Sequence, residues 1–459
     1  MTVVTRFAPS PTGFLHIGNA RPALFSRLFA RHNKGKFLLR IEDTDRERWS
    51  QAAVDAIHDG MNWLGLDYDG EVVYQYSRKD RHKQVAEQLL AEGKAYKCYC
   101  SQEELNAMRE AGFGYDRKWR DKNESDAPKD ATYAVRLKSP LEGEIIIKDH
   151  VRGDVRVPAS QIEDLVILRS DGTPTYNLAV VVDDHDMGVT HIIRGEDHLT
   201  NAAKQIVIYR LMGWNEPEFA HIPLIHGADG GKLSKRHGAL GVSDYRDMGY
   251  LSEALQNYLL RLGWSHGNDE FISQEQAIEW FSLQGIGKSP SRFDFAKLDN
   301  LNAHYIREAE NSRLVDLIVP ILQKTIEFDY EIAKSRLLAA MNGLKQRAKT
   351  LLELADNAAF YVRATPLELN EKAATILSDD GNIKILSDLL PLYSGLQDWS
   401  ESETQNIAKA YGEANNIKLG NVAAPLRAAL TGSNISPSVF DIMQVLGKAE
   451  TIKRIEAYA

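Results

Sequence analysis

The chain has 459 residues, 43% hydrophobic and 26% charged, with 55 Lys and Arg against 64 Asp and Glu for a net charge of −9. At ~150 residues per domain this suits about three domains, with cores large enough to need no disulfide or structural metal. The composition excludes a mainly disordered, collagenous or fibrous chain, and no apolar run reaches the ~20 residues of a bilayer span. The opening, Met1-Thr2-Val3-Val4-Thr5-Arg6, has no basic-then-apolar leader pattern. Two cysteines one residue apart, Cys98 and Cys100, cannot form a disulfide framework, so the chain reads as cytoplasmic with no membrane partner. Charge is uneven: residues 1–50 carry nine Lys or Arg and four acids.

Residues 3–8 are β-prone and are stopped by Pro9-Ser10-Pro11-Thr12-Gly13, which must form a loop. Ala20, Ala23, Leu24, Phe25 and Leu28 then repeat at helical spacing. Pro22 is tolerated near a helix start, which sets that start close to Asn19, a good N-cap. After Lys34-Gly35-Lys36, residues 37–41 read as a buried strand. Strand, helix and strand make a right-handed βαβ unit, and such sheets bind ligands beyond the carboxyl ends of their strands, where the loop from Pro9 to Gly18 lies. Between Tyr96 and Asp184, short β-prone segments crowd together (133–137, 144–151, 154–157 and 164–169) beside a helix opened by the capping box Ser101-x-x-Glu104. This predicts an insertion in the α/β domain. The α/β pattern resumes with a strand at 189–194, a helix at 200–211, a strand at 219–225 and a glycine-rich loop at 227–238. Beyond Gly249, stripes such as Leu251, Ala254, Leu255, Tyr258, Leu259 and Leu262, or Leu337, Met341, Leu344, Ala348 and Leu351, predict helices throughout.

Two polar loops can carry chemistry. The first runs from Arg6 through His16-Ile17-Gly18-Asn19 into a helix N-terminus, whose partial positive charge and unpaired N–H groups favour phosphate. Gly18 lets a ligand approach the backbone, and His16 can donate to a phosphoryl oxygen. The second, Gly231-Lys232-Leu233-Ser234-Lys235-Arg236-His237-Gly238, brings cations that could steady a polyphosphate as charge grows on its leaving group. Taken singly, they are better accounted for as a surface histidine beside a turn and a solvated basic loop.

Together the two loops resemble the paired signatures of class I aminoacyl-tRNA synthetases, His-Ile-Gly-His and Lys-Met-Ser-Lys-Ser. Arg6-Phe7-Ala8-Pro9-Ser10-Pro11-Thr12-Gly13, Arg40-Ile41-Glu42-Asp43-Thr44-Asp45-Arg46, Pro174-Thr175-Tyr176-Asn177 followed by Val181-Val182-Asp183-Asp184-His185, Ile193-Arg194-Gly195-Glu196-Asp197-His198 and the run from Lys418 to Gly432 are similar to bacterial glutamyl-tRNA synthetases. The resemblance spans nearly the whole chain, in order. It implies an α/β fold: a Rossmann-type parallel-sheet catalytic domain with an inserted α+β acceptor-binding domain, then an all-helical anticodon-binding half. The implied boundaries are 1–95 and 185–245 for the catalytic halves, 96–184 for the insertion, 246–320 for a helical stem-contact domain and 321–459 for the anticodon region.

By the same resemblance, glutamate is activated by ATP with Mg²⁺ and transferred to tRNA(Glu), with tRNA(Gln) as a second candidate acceptor, by a monomeric enzyme. His16, Gly18 and Lys235 are the implied catalytic residues. ATP would meet Pro9, Ser10, Thr12, Gly13, His16, Gly18, Asn19, Lys232, Leu233, Ser234, Lys235 and Arg236. Glutamate would meet Arg6, Ala8, Ser10, Glu42, Tyr176 and Arg194, although Glu42 could instead pair with Arg40 or Arg46, and Arg194 with Glu196. Candidate tRNA contacts are Lys345, Arg347, Lys349, Lys418 and Arg427. Some relatives bind zinc through a Cys-x-Cys pair and later ligands. Here no Cys or His lies between Cys100 and His150, and Tyr115 to Arg120 fills the region of a third thiolate, so no zinc is expected. The rival readings are a glutaminyl enzyme, which shows Pro-Glu-Pro-Asn-Gly at Pro9–Gly13 and ends in β-barrels, a truncated relative lacking the C-terminal half, a small nucleotidyltransferase, and a tRNA-binding paralogue without catalysis.

Overall fold

The computed structural model describes residues 2–112, 114–129, 131–227, 229–231, 233 and 240–459, and of Arg109 only the backbone. They form two compact units, one of residues up to 245 with 255–295, the other of 246–254 with 296–459. The stretch expected as a stem-contact domain, 246–320, is therefore divided between them.

In the first unit, β1 (Val4–Phe7), α1 (Ile17–His32) and β2 (Lys36–Ile41) make the βαβ unit, with β1 parallel to β2 and Val4 opposite Lys36. α1 starts earlier than Asn19: His16 is the N-cap, in extended conformation and without a side-chain cap. Pro22 thus lies in the second turn, where its missing N–H removes only one ladder bond, and proline position proved a loose guide to the start. The helix is also buried on more sides than its apolar stripe implies. Arg21 and Arg27 are buried, Phe281 packs edge-on to Phe25 at 5.3 Å, and Arg21 donates to the Leu262 and Pro223 carbonyls.

α2 (Gln51–Trp63), capped by Ser50, leads to β3 (Val73–Tyr74), which extends the sheet parallel to β2, and then to α3 (Lys79–Ala91). Next come β4 (Ala95–Cys98), α4 (Gln102–Glu110), β5 (Ala134–Leu137), β6 (Glu144–Asp149), β7 (Gly153–Pro158), β8 (Val166–Leu168) and α5 (Tyr176–Asp186). The capping box forms as expected: Ser101 N–H donates to Glu104 Oε2 at 2.9 Å, and Glu104 N–H to Ser101 Oγ at 3.2 Å. The strands of this stretch do not stay together. β4, β5 and β8 form their own antiparallel sheet, whereas β6 pairs parallel to β10 (Glu218–Ile222) and brings β7 with it. The resulting order is β7-β6-β10-β9, with β9 at His191–Gly195 and α6 at Leu199–Met212. Pairing across some seventy residues leaves no local signal, so the crowding of these strands in sequence does not report which partner each one takes.

β11 (Ile225–His226) pairs with β12 (Ser291–Arg292), and between them lie α7 (Val242–Asp247), α8 (Ser252–Arg261) and α9 (Gln274–Trp280). The second unit is helical. α10 (Phe295–Glu308), α11 (Asn311–Leu322), α12 (Tyr330–Leu344) and α13 (Leu351–Ala358) precede α14 (Glu371–Leu377), α15 (Asp380–Gly395), α16 (Glu401–Asn415), α17 (Leu419–Thr431), α18 (Val439–Leu446) and α19 (Lys448–Glu456). The stripe Leu337, Met341, Leu344, Ala348 and Leu351 is buried in one core with Leu354, Leu389, Leu426 and Met443. Six of these helices begin on a serine, threonine, aspartate or asparagine cap at Asp329, Thr350, Asn370, Asp379, Ser400 or Ser438, each accepting an N–H from the first turn. Among the described residues no helix is long and apolar enough to cross a membrane.

Candidate active site

Thr190 N–H donates to Val4 O at 2.9 Å and sets β9 beside β1. Strand order runs outward in both directions from that junction, to β2 and β3 on one side and to β10, β6 and β7 on the other. At such a switch point the helices leave on opposite faces, and a crevice opens beyond the carboxyl ends of the strands. Arg6 lies on β1, Glu42 just after β2, Arg194 on β9 and Tyr176 at the start of α5. The Tyr176 phenol is pushed up to about 12 by burial and then by the Glu42 carboxylate, against the pull of Arg194 and Arg6. These four side chains, far apart in sequence, act on one another electrostatically.

A buried ion network fixes Arg6 and Glu42. Asp184 is fully buried on α5 and takes Arg6 by two nitrogens, Nε at 3.0 Å and Nη2 at 3.3 Å, and Arg40 Nη1 at 2.6 Å. Burial works against this carboxylate, but Arg40 and Arg6 outweigh it and hold its pKa below the usual range. Arg40 then donates from its second terminal nitrogen, Nη2, to Glu42 Oε1, 3.0 Å away. The alternative pairing for Glu42 is therefore present with Arg40, while Arg46 goes to Asp43 instead. Burial raises the Glu42 pKa more than Arg40 and Arg6 lower it. A carboxylate in that state gains most from a further cation.

Arg194 does not pair with Glu196, which is taken by Arg152 and by the Leu224 N–H. Its Nε donates to His221 Nε2 at 3.2 Å and its Nη2 to Gln205 Oε1 at 3.0 Å and to the His198 carbonyl. Nη1 is buried and makes no hydrogen bond among the described residues. Burial with no carboxylate in direct contact lowers this guanidinium to about 10. His221, buried on β10, is held by Asp149, whose Oδ2 lies 2.6 Å from Nδ1 and also accepts the His221 N–H. Burial keeps the imidazole below its ordinary value despite Asp149, so its Nε2 is available as an acceptor for Arg194. Sequence reading missed Asp149, His221 and Asp184 as positioning residues. Only the β6–β10 pairing brings Asp149 to His221, and neither residue lies in a recognisable motif.

The first loop opens beside this network, with Glu42 N–H donating to Pro9 O at 2.9 Å. Ser10, Thr12, Gly13, His16 and Asn19 are exposed, Ala8 is half-buried and Pro9 is buried. α1 has no acidic residue in its first turn to offset its N-terminal charge. Gly18 has a nearer reason to be glycine than ligand approach. A Cβ there would stand 2.9 Å from His16 Cε1 and Nδ1, so the imidazole lies over the first turn only because that position is bare. Although the residue reaches solvent, the protein atoms packed around its ring partly desolvate His16 and lower its pKa, with Asp197 opposing.

Of the second loop, Lys232, Ser234, Lys235 and Arg236 lie outside the described residues, and Leu233 is half-buried. Its far flank is placed. Gly241 forms an antiparallel bridge with His16, and Val242 N–H donates to Leu15 O at 2.8 Å. The chain therefore returns to the first signature within a few residues of the second.

Residues 2–300 match the class I tRNA synthetase (E and Q) catalytic domain and 313–459 an anticodon-binding domain. Glutamate–tRNA ligase 2 of Rhodospirillum centenum is 57% identical, over 99% of both chains. That of Paramagnetospirillum magneticum is 59% identical, over 99% of this chain and 97% of its own. A crystal structure of a glutamate tRNA ligase from Elizabethkingia meningosepticum in complex with its amino acid superposes with a TM-score of 0.88 at 32% identity, covering 100% of this chain and 99% of that one. The chain belongs to the glutamate–tRNA ligase family of class I tRNA synthetases.

Two peripheral expectations of this family membership meet local chemistry. Cys98 is buried at the end of β4, with its thiol donating to Tyr115 Oη at 3.3 Å, while Cys100 is half-buried just beyond the strand. Tyr99, Trp119 and Ala127 pack around the pair. In the helical unit, Arg347 and Arg427 converge on Ser436, donating to its carbonyl at 3.1 Å and its hydroxyl at 3.0 Å. Burial, and then repulsion from Arg347, lowers the pKa of Arg427. Arg347 also lines a cavity of about 550 Å³ with Arg363, Asn357 and Asn370. Lys345 is separate from this pair and donates to the Ala309 carbonyl at 3.0 Å. Lys418 and Lys349 are exposed, the former at the N-cap of α17.

Proposed function

We propose that the chain joins L-glutamate to tRNA(Glu), with tRNA(Gln) as a second acceptor to be tested. One α-carboxylate oxygen of glutamate attacks the α-phosphorus of ATP, the bond to the β-phosphate oxygen breaks, and pyrophosphate leaves. A hydroxyl of the 3′-terminal ribose then attacks the acyl carbon and gives up its proton, and AMP departs with the former carboxylate oxygen. Two anions must meet in the first step, so the site has to supply donors placed in advance. In this reading His16 and the bare first turn of α1 hold the phosphates, joined by Lys235 and by Lys232 from the second loop. Mg²⁺ comes with the triphosphate through its own oxygens.

The observation that carries the reading is the buried Arg194, with one nitrogen unbonded among the described residues, coupled electrostatically to Tyr176, Glu42 and Arg6. A guanidinium with a donor to spare suits a carboxylate, and a carboxylate raised by burial suits an ammonium. Glutamate offers both. Arg347 and Arg427 are proposed to meet the tRNA, since two cations that repel each other gain from a phosphate between them. Charging assays on purified tRNA(Glu) and tRNA(Gln), with pyrophosphate exchange run with and without glutamate and tRNA, test the reading. Glutamate-dependent exchange and charging of tRNA(Glu) are expected, whereas exchange supported by glutamine but not glutamate would overturn it.

A further inference from the structure

β9 and β10 run parallel with His191 opposite Glu218, so the first residues of both strands stand side by side. These are the amino ends of the strands, opposite to the crevice of the synthetase site. A third segment arrives where β6 ends: His150 N–H donates to Phe219 O at 2.8 Å, which lays its side chain over the same spot. The ligand atoms of His150, His191 and Glu218 all lie within 4.8 Å of one another. Glu218 Oε2 is 2.5 Å from His150 Nε2 and 3.6 Å from His191 Nε2.

We propose that these three residues bind a divalent transition-metal ion, zinc in the first instance, with water at the remaining position. Bonds of ~2.0–2.1 Å in a tetrahedral site place ligand atoms roughly 3.3–3.4 Å apart, so small side-chain rotations suffice. The tautomer of His191 is prepared by its neighbour. Its Nδ1 lies 2.8 Å from Thr190 Oγ1, which donates to Val4 O at 3.2 Å and accepts Val4 N–H at 2.8 Å. With the hydroxyl proton on the Val4 carbonyl, Nδ1–H donates to the threonine oxygen and the Nε2 lone pair is left facing a carboxylate oxygen. Two acceptors so placed repel unless a cation sits between them, and a hydrogen-bonded outer partner of this kind is the usual support of a metal-binding histidine. The donor set decides the ion class. Two imidazoles and one carboxylate suit Zn²⁺, Ni²⁺ or Cu²⁺, whereas Mg²⁺ and Ca²⁺ want oxygen shells. His150 and Glu218 are exposed, so an ion can enter from solvent. Neither cysteine takes part. A bound ion would clasp the β6–β7 turn to the starts of β9 and β10.

The test uses the full-length protein, stripped with chelator and titrated with Zn²⁺ alone by calorimetry, then with Co²⁺ alone to read visible absorption of tetrahedral coordination. One ion per chain is expected, with a thermal midpoint that climbs as zinc is added. His150→Gln and Glu218→Gln lie at exposed positions and should fold like the wild type, yet each should weaken binding by about tenfold or more. A Cys98→Ser, Cys100→Ser variant should bind as before. The proposal is overturned by absence of stoichiometric binding, by binding that ignores both ligand substitutions, or by binding lost with the cysteines.

Discussion

Gly18→Ala separates catalytic placement from folding. The new Cβ would start 2.9 Å from two atoms of the His16 ring. Carbon contacts settle near 3.5 Å at the closest, so the ring must give way by about 0.6 Å. His16 is exposed and can swing aside at little energetic cost. Alanine is a better helix former than glycine by up to ~1 kcal/mol, so the melting temperature should hold or rise slightly. Chemistry should not be spared. A reacting group misplaced by about 1 Å loses roughly 10²-fold in rate, and a shift of about half that predicts a fall of about tenfold to a hundredfold in adenylate formation. The assay is pyrophosphate exchange with saturating glutamate and tRNA, paired with thermal denaturation. Undiminished exchange in a folded variant would refute the claim that the bare position serves the imidazole, and a parallel loss of stability would show that Gly18 is structural.

Four further outcomes are expected. Glu42 has a raised pKa in the free enzyme, and an ammonium partner favours its ionised form. Affinity for glutamate should be full above that pKa and fall as pH drops through it, at a pH above the 4.5 of an ordinary glutamate, with Glu42→Gln abolishing this acid limb of kcat/KM. Asp184→Asn leaves Arg6 and Arg40 buried without their shared carboxylate, and urea unfolding should register a loss of about 3–5 kcal/mol; a change under 1 kcal/mol would mean that the network is not what fixes these arginines. Lys235→Ala should slow adenylation by roughly 10²-fold in single-turnover kinetics, and an unchanged rate would remove it from the chemistry. Arg347→Ala should raise KM for tRNA and flatten its salt dependence by about one phosphate contact, leaving KM for glutamate unaltered; equal effects on both substrates would place its role elsewhere.

The sequence by itself determined what local chemistry controls. The Pro9–Gly13 break, the βαβ rhythm around α1, the Ser101–Glu104 capping box and the helical stripe from Leu337 to Leu351 are each decided by neighbours a few positions away, and each was legible. So were Arg6, Glu42, Tyr176 and Arg194 as members of matching motifs, since resemblance reads short runs well. Tertiary structure decided the rest. Which strand β6 would pair with, and hence that Asp149 would hold His221 and His221 would hold Arg194, depends on contacts across some seventy residues that carry no periodicity. Asp184 stood in a matching run, but nothing local said that it would gather two arginines from two other elements. Pairing and burial are properties of the assembled sheet, and a carboxylate acquires its charge state and its partner only when water has been removed from around it.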